Sequence, residues 1–87
     1  MENSIIGRWV SVDHPCFAYN FLYGGNGFYS MWDGKKDFTY TDNASSVTIH
    51  FINDMFPSTF EYRVIDDVLL ITDSFGTVVK YLKHKEQ

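Results

Sequence analysis

Hydrophobic and polar residues alternate along most of this 87-residue chain, in short runs that are separated by turn residues. In the run Phe17-Ala18-Tyr19-Asn20-Phe21, for example, every second residue is aromatic. Because the side chains of a β-strand point to opposite faces with a period of two, such runs predict strands with one buried face. Alanine and leucine are scarce beside β-branched and aromatic residues, which leaves little support for helices. The sequence therefore predicts an all-β fold.

Turn signals recur at short, even spacing and divide the chain into about eight strands. Examples are Gly24-Gly25-Asn26-Gly27, Asp33-Gly34 and Asp66-Asp67, whose residues tolerate left-handed backbone or cap a turn. Residues 1–5 and 84–87 are expected to be frayed ends. The predicted strands cover about residues 7–12, 16–23, 27–32, 36–41, 46–52, 58–65, 68–73 and 77–83.

The short connections decide how neighbouring strands pair. A parallel crossover needs a dozen residues or more, so consecutive strands are predicted to be antiparallel, in a single up-and-down meander. Eight strands suffice to close a small barrel that side chains fill or that holds one small ligand. We therefore predict a small closed barrel, with a strongly curled, incompletely closed sheet as the alternative. The chain length allows one domain, residues 1–87.

The alternation places aromatic residues, among them five tyrosines, on the inner face of the barrel. A buried tyrosine hydroxyl without a hydrogen bond costs about 1–3 kcal/mol, so these groups need partners. Either the rings fill the barrel and their hydroxyls emerge at its rims, or they line a pocket for a small apolar or aromatic ligand. The predicted ligand-binding residues are Trp9, Tyr19, Tyr29, Tyr40, Tyr62 and Tyr81.

A second set of apolar residues falls on the outer face of the last two strands. We expect these residues to lie side by side as an exposed patch, which commonly marks self-association or a partner surface. The alternative function is therefore a protein-interaction or homodimerisation module with a filled core and no ligand. A shift in register, or Ile5 and Ile6 folding over the patch, would remove it. The predicted interface residues are Val68, Leu70, Val78 and Leu82.

Few residues could support catalysis or hold a metal. His14 and Cys16 are two positions apart, but a zinc site needs three or four ligands, so we predict no metal and no cofactor. No nucleophile, base and orienting group can be named together, so we predict no enzyme. Asp73 continues the inward face of its strand at the rim, where we expect it to bond Ser74, a backbone amide or a tyrosine hydroxyl.

Net charge and hydropathy exclude several classes of partner. A formal charge of -4 and a pI near 5.1 have the wrong sign for neutralising nucleic-acid phosphates. No run of eighteen apolar residues predicts a membrane span, and no basic-then-apolar leader predicts a signal peptide. The single cysteine cannot form an internal disulfide. The sequence as given predicts a cytoplasmic protein, or an exported one if a leader has been removed.

Several of these features resemble a known family. Gly7-Arg8-Trp9 is similar to the Gly-x-Trp of the first lipocalin strand, whose tryptophan closes one end of the barrel. The rest of the chain looks like the small lipocalin-like, calycin-type domains of uncharacterised bacterial proteins. That resemblance implies a lipocalin-like β-barrel, in a group mostly without assigned activity and often exported or lipid-anchored. The matching runs are Tyr19-Asn20-Phe21, Gly24 to Gly27, Phe38-Thr39-Tyr40, Phe60-Glu61-Tyr62 and Asp73-Ser74-Phe75-Gly76.

Overall fold

The computed structural model describes residues 4–84 as eight antiparallel strands that close into one barrel. Each strand pairs with its neighbour along the chain, and the last strand pairs with the first to complete the ring. The predicted all-β, up-and-down meander is confirmed, and the barrel is closed. The strands are β1 (Gly7–Ser11), β2 (Ala18–Phe21), β3 (Asn26–Met31), β4 (Gly34–Asp42), β5 (Ser46–Phe51), β6 (Ser58–Ile65), β7 (Val68–Thr72) and β8 (Val78–Lys83).

Two strands differ from their predicted bounds by more than one residue at an end. β2 is shorter than predicted because residues 12–17 form a loop, in which the amide of Phe17 donates to the carbonyl of His14. β4 begins two residues earlier than predicted, since Gly34 already pairs with Met31 across a two-residue turn. Hairpin pairing extends each strand as far as its turn allows, which composition alone does not reveal.

The connections between strands divide between the two ends of the barrel. At one end, which we call the loop end, lie residues 12–17, 32–33, 52–57 and 73–77. The opposite end, which we call the Trp9 end, holds residues 22–25, 43–45 and 66–67 and the segment leading into β1. In the first of these connections, Gly24 and Gly25 have φ of 89° and 82°, which glycine adopts at little steric cost.

The core follows the predicted alternation. At Gly27 the sheet needs a residue without a side chain, because a Cβ there would lie 2.6 Å from the Phe38 ring and 2.3 Å from the carbonyl oxygen of Asn20. The ring of Phe38 thus packs directly against the β3 backbone. The buried core residues are Ile5, Trp9, Phe21, Phe38, Val47, Ile49, Tyr62, Leu69, Ile71 and Tyr81.

The expected frayed ends are partly ordered. Ile5 is fully buried within the core, so the prediction for residues 1–5 is wrong at this position. Burial in the core also means that Ile5 does not fold over the outer face of β7 and β8. His84 donates its amide hydrogen to the carbonyl of Arg8, which extends the β8 to β1 pairing. The remaining predicted frayed positions include residues 1–3 and 85–87, which lie outside the described residues.

Asn20 lies on the outer face as predicted but is only 5% exposed. Arg8 Nη1 donates to Asn20 Oδ1 at 3.0 Å. The side-chain amide nitrogen of Asn20 donates to Phe28 O at 3.2 Å and to Ser30 Oγ at 3.1 Å. These bonds satisfy a polar side chain that would otherwise be costly to cover. The outer face of β1 to β3 therefore carries a small, satisfied polar cluster rather than a free amide.

Candidate ligand site at the loop end of the barrel

Trp9, one of the six predicted ligand-binding residues, closes the Trp9 end. It is 1% exposed, and its Nε1 donates to the carbonyl of Ile5 at 2.7 Å. The ammonium of Lys83 lies 4.8 Å from the Trp9 ring and donates to the carbonyl of Ile6 at 2.9 Å. The indole is therefore surrounded by protein and its one donor is used, so its position is that of a core residue.

Tyr40 and Tyr62 also direct their hydroxyls toward the Trp9 end. The hydroxyl of Tyr40 donates to the carbonyl of Leu22 at 2.7 Å, and that of Tyr62 donates to Asp42 Oδ1 at 2.5 Å. Burial, followed by the bond to Asp42, raises the pKa of Tyr62 well above its ordinary value. Burial and the nearby Asp42 carboxylate raise the pKa of Tyr40. Both hydroxyls are committed to protein acceptors.

The other three predicted residues, Tyr19, Tyr29 and Tyr81, form what we call the tyrosine cluster. The ring centroids of Tyr19 and Tyr29 are 4.7 Å apart, and those of Tyr19 and Tyr81 are 5.4 Å apart. Within residues 4–84 their hydroxyls have no hydrogen-bond partner. Every fully buried polar side-chain atom in these residues does have a partner, so the three hydroxyls are not fully buried. Each hydroxyl therefore reaches solvent-accessible space.

Burial raises the pKa of each tyrosine in the tyrosine cluster. Burial, followed by the hydroxyl of Tyr29, raises the pKa of Tyr19 to about 12. Burial, followed by the hydroxyls of Tyr19 and Tyr29, raises the pKa of Tyr81 still further. Burial and then the Cys16 thiol raise the pKa of Tyr29. All three phenols thus stay protonated at neutral pH and can donate hydrogen bonds.

Aromatic walls place the tyrosine cluster beneath the loop end. Phe17, in the β1–β2 connection, stacks on Tyr29 with centroids 6.0 Å apart and an interplanar angle of 12°. His14 lies edge-on to Phe17 at 5.8 Å, and Phe51 meets Tyr29 edge-on at 6.5 Å. Tyr81 pairs with Ser11, the last residue of β1, and so belongs to the same end. The loop end therefore presents aromatic faces together with three phenol donors.

Every connection at the loop end also carries an exposed apolar side chain. The most exposed are Phe75 at 91% and Met55 at 87%. Several exposed apolar groups at one end of a small protein commonly mark a binding surface. Sequence reasoning missed Met55, Phe56 and Phe75 because turn residues were interpreted only for backbone conformation, whereas Val12, Trp32 and Ile52 lie at the last positions of predicted strands. The full set is Val12, Trp32, Ile52, Met55, Phe56 and Phe75.

A groove of about 220 Å³ opens next to Phe51, whose ring meets Tyr29 of the tyrosine cluster edge-on. Lys36 lines this groove, pairs with Tyr29 in the β3–β4 register and holds its ammonium 5.8 Å from the Phe51 ring. Lys36 was not among the predicted site residues, although it lies two positions before Phe38 on the same alternation. The groove is lined by Lys35, Lys36, Asp37, Phe51, Ile52, Asn53 and Asp54.

The four predicted interface residues lie on the outer face of β7 and β8, but only one pair is directly opposed. Val68 pairs with Leu82, whereas Leu70 faces Lys80 and Val78 faces Thr72. An ammonium therefore interrupts the expected patch. The apolar surface continues instead around the barrel, because the register joins Ile65 to Val68 and Leu82 to Val10. We call Ile65, Val68, Leu82 and Val10 the outer row.

His14 and Cys16, the sequence candidates for metal or nucleophilic chemistry, lie in the exposed β1–β2 connection. Across residues 4–84 no group of three or more His, Cys, Asp or Glu side chains is placed to hold a metal ion. His50, on the outer face of β5, has its Nε2 2.9 Å from the carbonyl oxygen of Asp54. The chemistry available at the loop end is thus hydrogen-bond donation, aromatic contact and one inward ammonium.

Comparisons with known proteins supply no family for this chain. No family model matches it, and neither a curated protein nor a solved structure does. Residues 4–84 contain no helix long and apolar enough to cross a membrane. The function has to be argued from the geometry of the barrel itself.

Proposed function

We propose that this barrel is a non-enzymatic binding protein that takes a small apolar or aromatic ligand at its loop end. One observation carries the proposal: the tyrosine cluster gathers three phenol donors without protein acceptors at the end where all four connections expose apolar side chains. Pockets for small molecules are mostly apolar with a few polar groups that orient the ligand. The loop end has this composition.

The resemblance to lipocalin-like domains also supports the loop end as the place where a ligand enters the barrel. In that family the tryptophan of Gly-x-Trp closes one end of the barrel. Here Trp9, Ile5 and Lys83 occupy the Trp9 end, through the contacts described above. A ligand would therefore enter between the four connections of the loop end and rest on the tyrosine cluster.

The size of the barrel limits the affinity that such a site can reach. Aromatic rings fill much of the interior, so a ligand would be covered on one side rather than enclosed. Burying about 200 Å² of apolar ligand surface gains about 5 kcal/mol, from which the loss of free movement must be subtracted. We expect dissociation constants of about 0.1 mM or weaker, with the hydroxyls deciding orientation more than affinity.

Binding of N-phenyl-1-naphthylamine, an uncharged aromatic probe whose fluorescence rises in apolar surroundings, tests the proposal. We expect saturable binding that Tyr29→Leu weakens about three- to tenfold, because the substitution removes a stacked ring and a phenol donor. Tyr23→Leu is the matched control, since Tyr23 is 83% exposed in the β2–β3 connection at the Trp9 end. Circular dichroism of each variant establishes that the barrel is folded.

Two results would overturn the proposal. The first is an absence of saturable binding to the folded wild-type protein. The second is binding that Leu82→Lys abolishes while Tyr29→Leu leaves it unchanged, because the probe would then occupy the outer row. Native mass spectrometry of protein purified from its own host adds an independent reading, since a bound small molecule that leaves on denaturation identifies the ligand directly.

The outer row favours homodimerisation as a second candidate function. Leu82 is 47% exposed and Ile65 46%, and the register joins them to Val68 and Val10 in one continuous row. A second copy of the chain would cover this row on both partners at once. Sedimentation velocity over a range of concentrations tests it. The proposal would be supported by a dimer that dissociates in Leu82→Lys but persists in Thr41→Lys, a control on the exposed outer face of β4. A monomer at every concentration would exclude it.

A further inference from the structure

Lys36 lies on the inner alternation of β4 near the loop end, where its side chain is exposed and its ammonium is 5.8 Å from the centroid of the Phe51 ring. Among the strand residues within 4–84, only Lys36 and Lys83 place a lysine or arginine on the inner alternation. Lys83 lies at the opposite end, over Trp9, where its ammonium is bound to the carbonyl of Ile6. The cation available beside the tyrosine cluster is therefore that of Lys36.

The ammonium of Lys36 has no carboxylate partner in the described part of the chain. The ion pair of this region joins Lys35 Nζ to Asp37 Oδ1 at 3.9 Å, and Lys35 also lies over Phe28 on the outer face. Asp73, which continues the inner face at the rim, accepts from the amides of Phe75 and Thr77 and is held in its own turn. Asp37 and Asp54 line the same groove as Lys36, but within residues 4–84 neither forms an ion pair with its ammonium.

Lys36 and the tyrosine cluster form one continuous surface. Lys36 is opposite Tyr29 in the β3–β4 register, and both contact the Phe51 ring, Lys36 by its ammonium and Tyr29 edge-on. An ammonium and a phenol hydroxyl are both donors, and an anionic acceptor gains most from such a pair where aromatic walls reduce its contact with water. The apolar faces of the cluster would hold the rest of the molecule.

We propose that the ligand of the loop end is an organic anion, a carboxylate or sulfonate with an aromatic or aliphatic body. Its charged group binds between the Lys36 ammonium and the Tyr29 hydroxyl, and its body packs on the tyrosine cluster. This inference rests on the proposed function, because it names the class of ligand for that same site. Because the net charge of the chain is -4, its overall charge repels anions. A preference for anions would therefore come from the local charge of Lys36.

A matched pair of probes separates this inference from the proposed function. 8-Anilinonaphthalene-1-sulfonate and N-phenyl-1-naphthylamine share one aromatic skeleton and differ by the sulfonate. We expect Lys36→Gln to lower the ratio of their association constants, sulfonate over uncharged probe, about three- to tenfold. Lys80→Gln removes the same charge on the exposed outer face of β8, opposite Leu70, and we expect a change of less than about twofold.

A second variant and a salt series complete the test. Tyr29→Phe should lower the same ratio about two- to fivefold by removing the hydroxyl while keeping the ring. Raising the salt concentration should lower the ratio in the wild type and leave it nearly constant in Lys36→Gln. The inference would be overturned if Lys80→Gln and Lys36→Gln lowered the ratio equally, or if neither lowered it. Binding of the uncharged probe would in that case still support the proposed function. Failure of both probes to bind overturns both.

Discussion

At the scale of single residues, hydroxyl bonding separates two classes of inner tyrosine. Tyr40 and Tyr62 donate to protein acceptors at the Trp9 end, whereas the tyrosine cluster reaches solvent-accessible space at the loop end. Alternation predicts that all five face inward, because the direction of Cβ follows from position in the strand. The acceptor of each hydroxyl depends on residues 18 or 20 positions away, which alternation does not contain.

We predict that Tyr62→Phe lowers the free energy of unfolding by about 0.5–1.5 kcal/mol, because it removes a hydrogen bond formed only in the folded chain. Tyr81→Phe and Tyr19→Phe should change it by less than about 0.5 kcal/mol, since their hydroxyls have no acceptor within residues 4–84. Urea denaturation measures all three. A loss in Tyr81→Phe as large as that in Tyr62→Phe would mean that the cluster hydroxyls bond within the protein and are not free for a ligand.

At the scale of elements, side-chain caps shape the turns that define the hairpins. Asp73 Oδ1 accepts from the amides of Phe75 and Thr77, each at 2.9 Å, and its carbonyl accepts from Gly76 at 3.0 Å. The predicted bond from Asp73 to a backbone amide is therefore present. Such turns can be predicted from sequence because donor and acceptor lie within four residues of each other.

We predict that Asp73→Ala destabilises the β7–β8 hairpin and lowers the free energy of unfolding by about 1–2 kcal/mol, since two amides lose their acceptor. Asp73→Asn is the control, because its side-chain oxygen accepts in the same position; we expect it to lose less than half as much. Thermal unfolding followed by circular dichroism gives both values. If the two variants were equally destabilised, the charge of Asp73 rather than its bonds to the turn would be responsible.

At the scale of the whole molecule, closure joins residues that are far apart in the chain. β8 pairs with β1, so Leu82 meets Val10 and Tyr81 meets Ser11. Among the strands of residues 4–84, closure leaves no unpaired edge, which removes the commonest site of strand addition. It also encloses the tyrosines, and the raised pKa values of Tyr19, Tyr62 and Tyr81 are the electrostatic consequence of that burial.

The pKa shifts predict that the barrel loses stability at high pH. The pKa of Tyr19 is about 12 in the folded chain, against about 10 for an unburied tyrosine. Between these values the unfolded chain releases a proton that the folded chain keeps, so the contribution is complete below about pH 10 and is lost as pH rises toward about 12. The raised values for Tyr62 and Tyr81 act in the same direction.

Urea denaturation at pH 8, 10 and 11 measures this loss. We expect the free energy of unfolding to fall between pH 10 and 11, and to fall less steeply in Tyr19→Phe, which removes one of the titrating groups. A wild-type protein whose stability was constant up to pH 11 would show that these phenols are not protected from ionisation in the folded barrel.

The sequence by itself determined the number of strands, their antiparallel order and the aromatic and aliphatic residues that the strands direct inward. Those properties follow from neighbours: a period of two sets the face, and glycine, asparagine and aspartate set the turns. Only the tertiary structure decided which end each tyrosine hydroxyl faces, that Leu70 is paired with Lys80 and not with Val78, and that Ile5 is buried. The physical reason is that these depend on the register between strands and on barrel closure, which bring together residues that no local pattern relates.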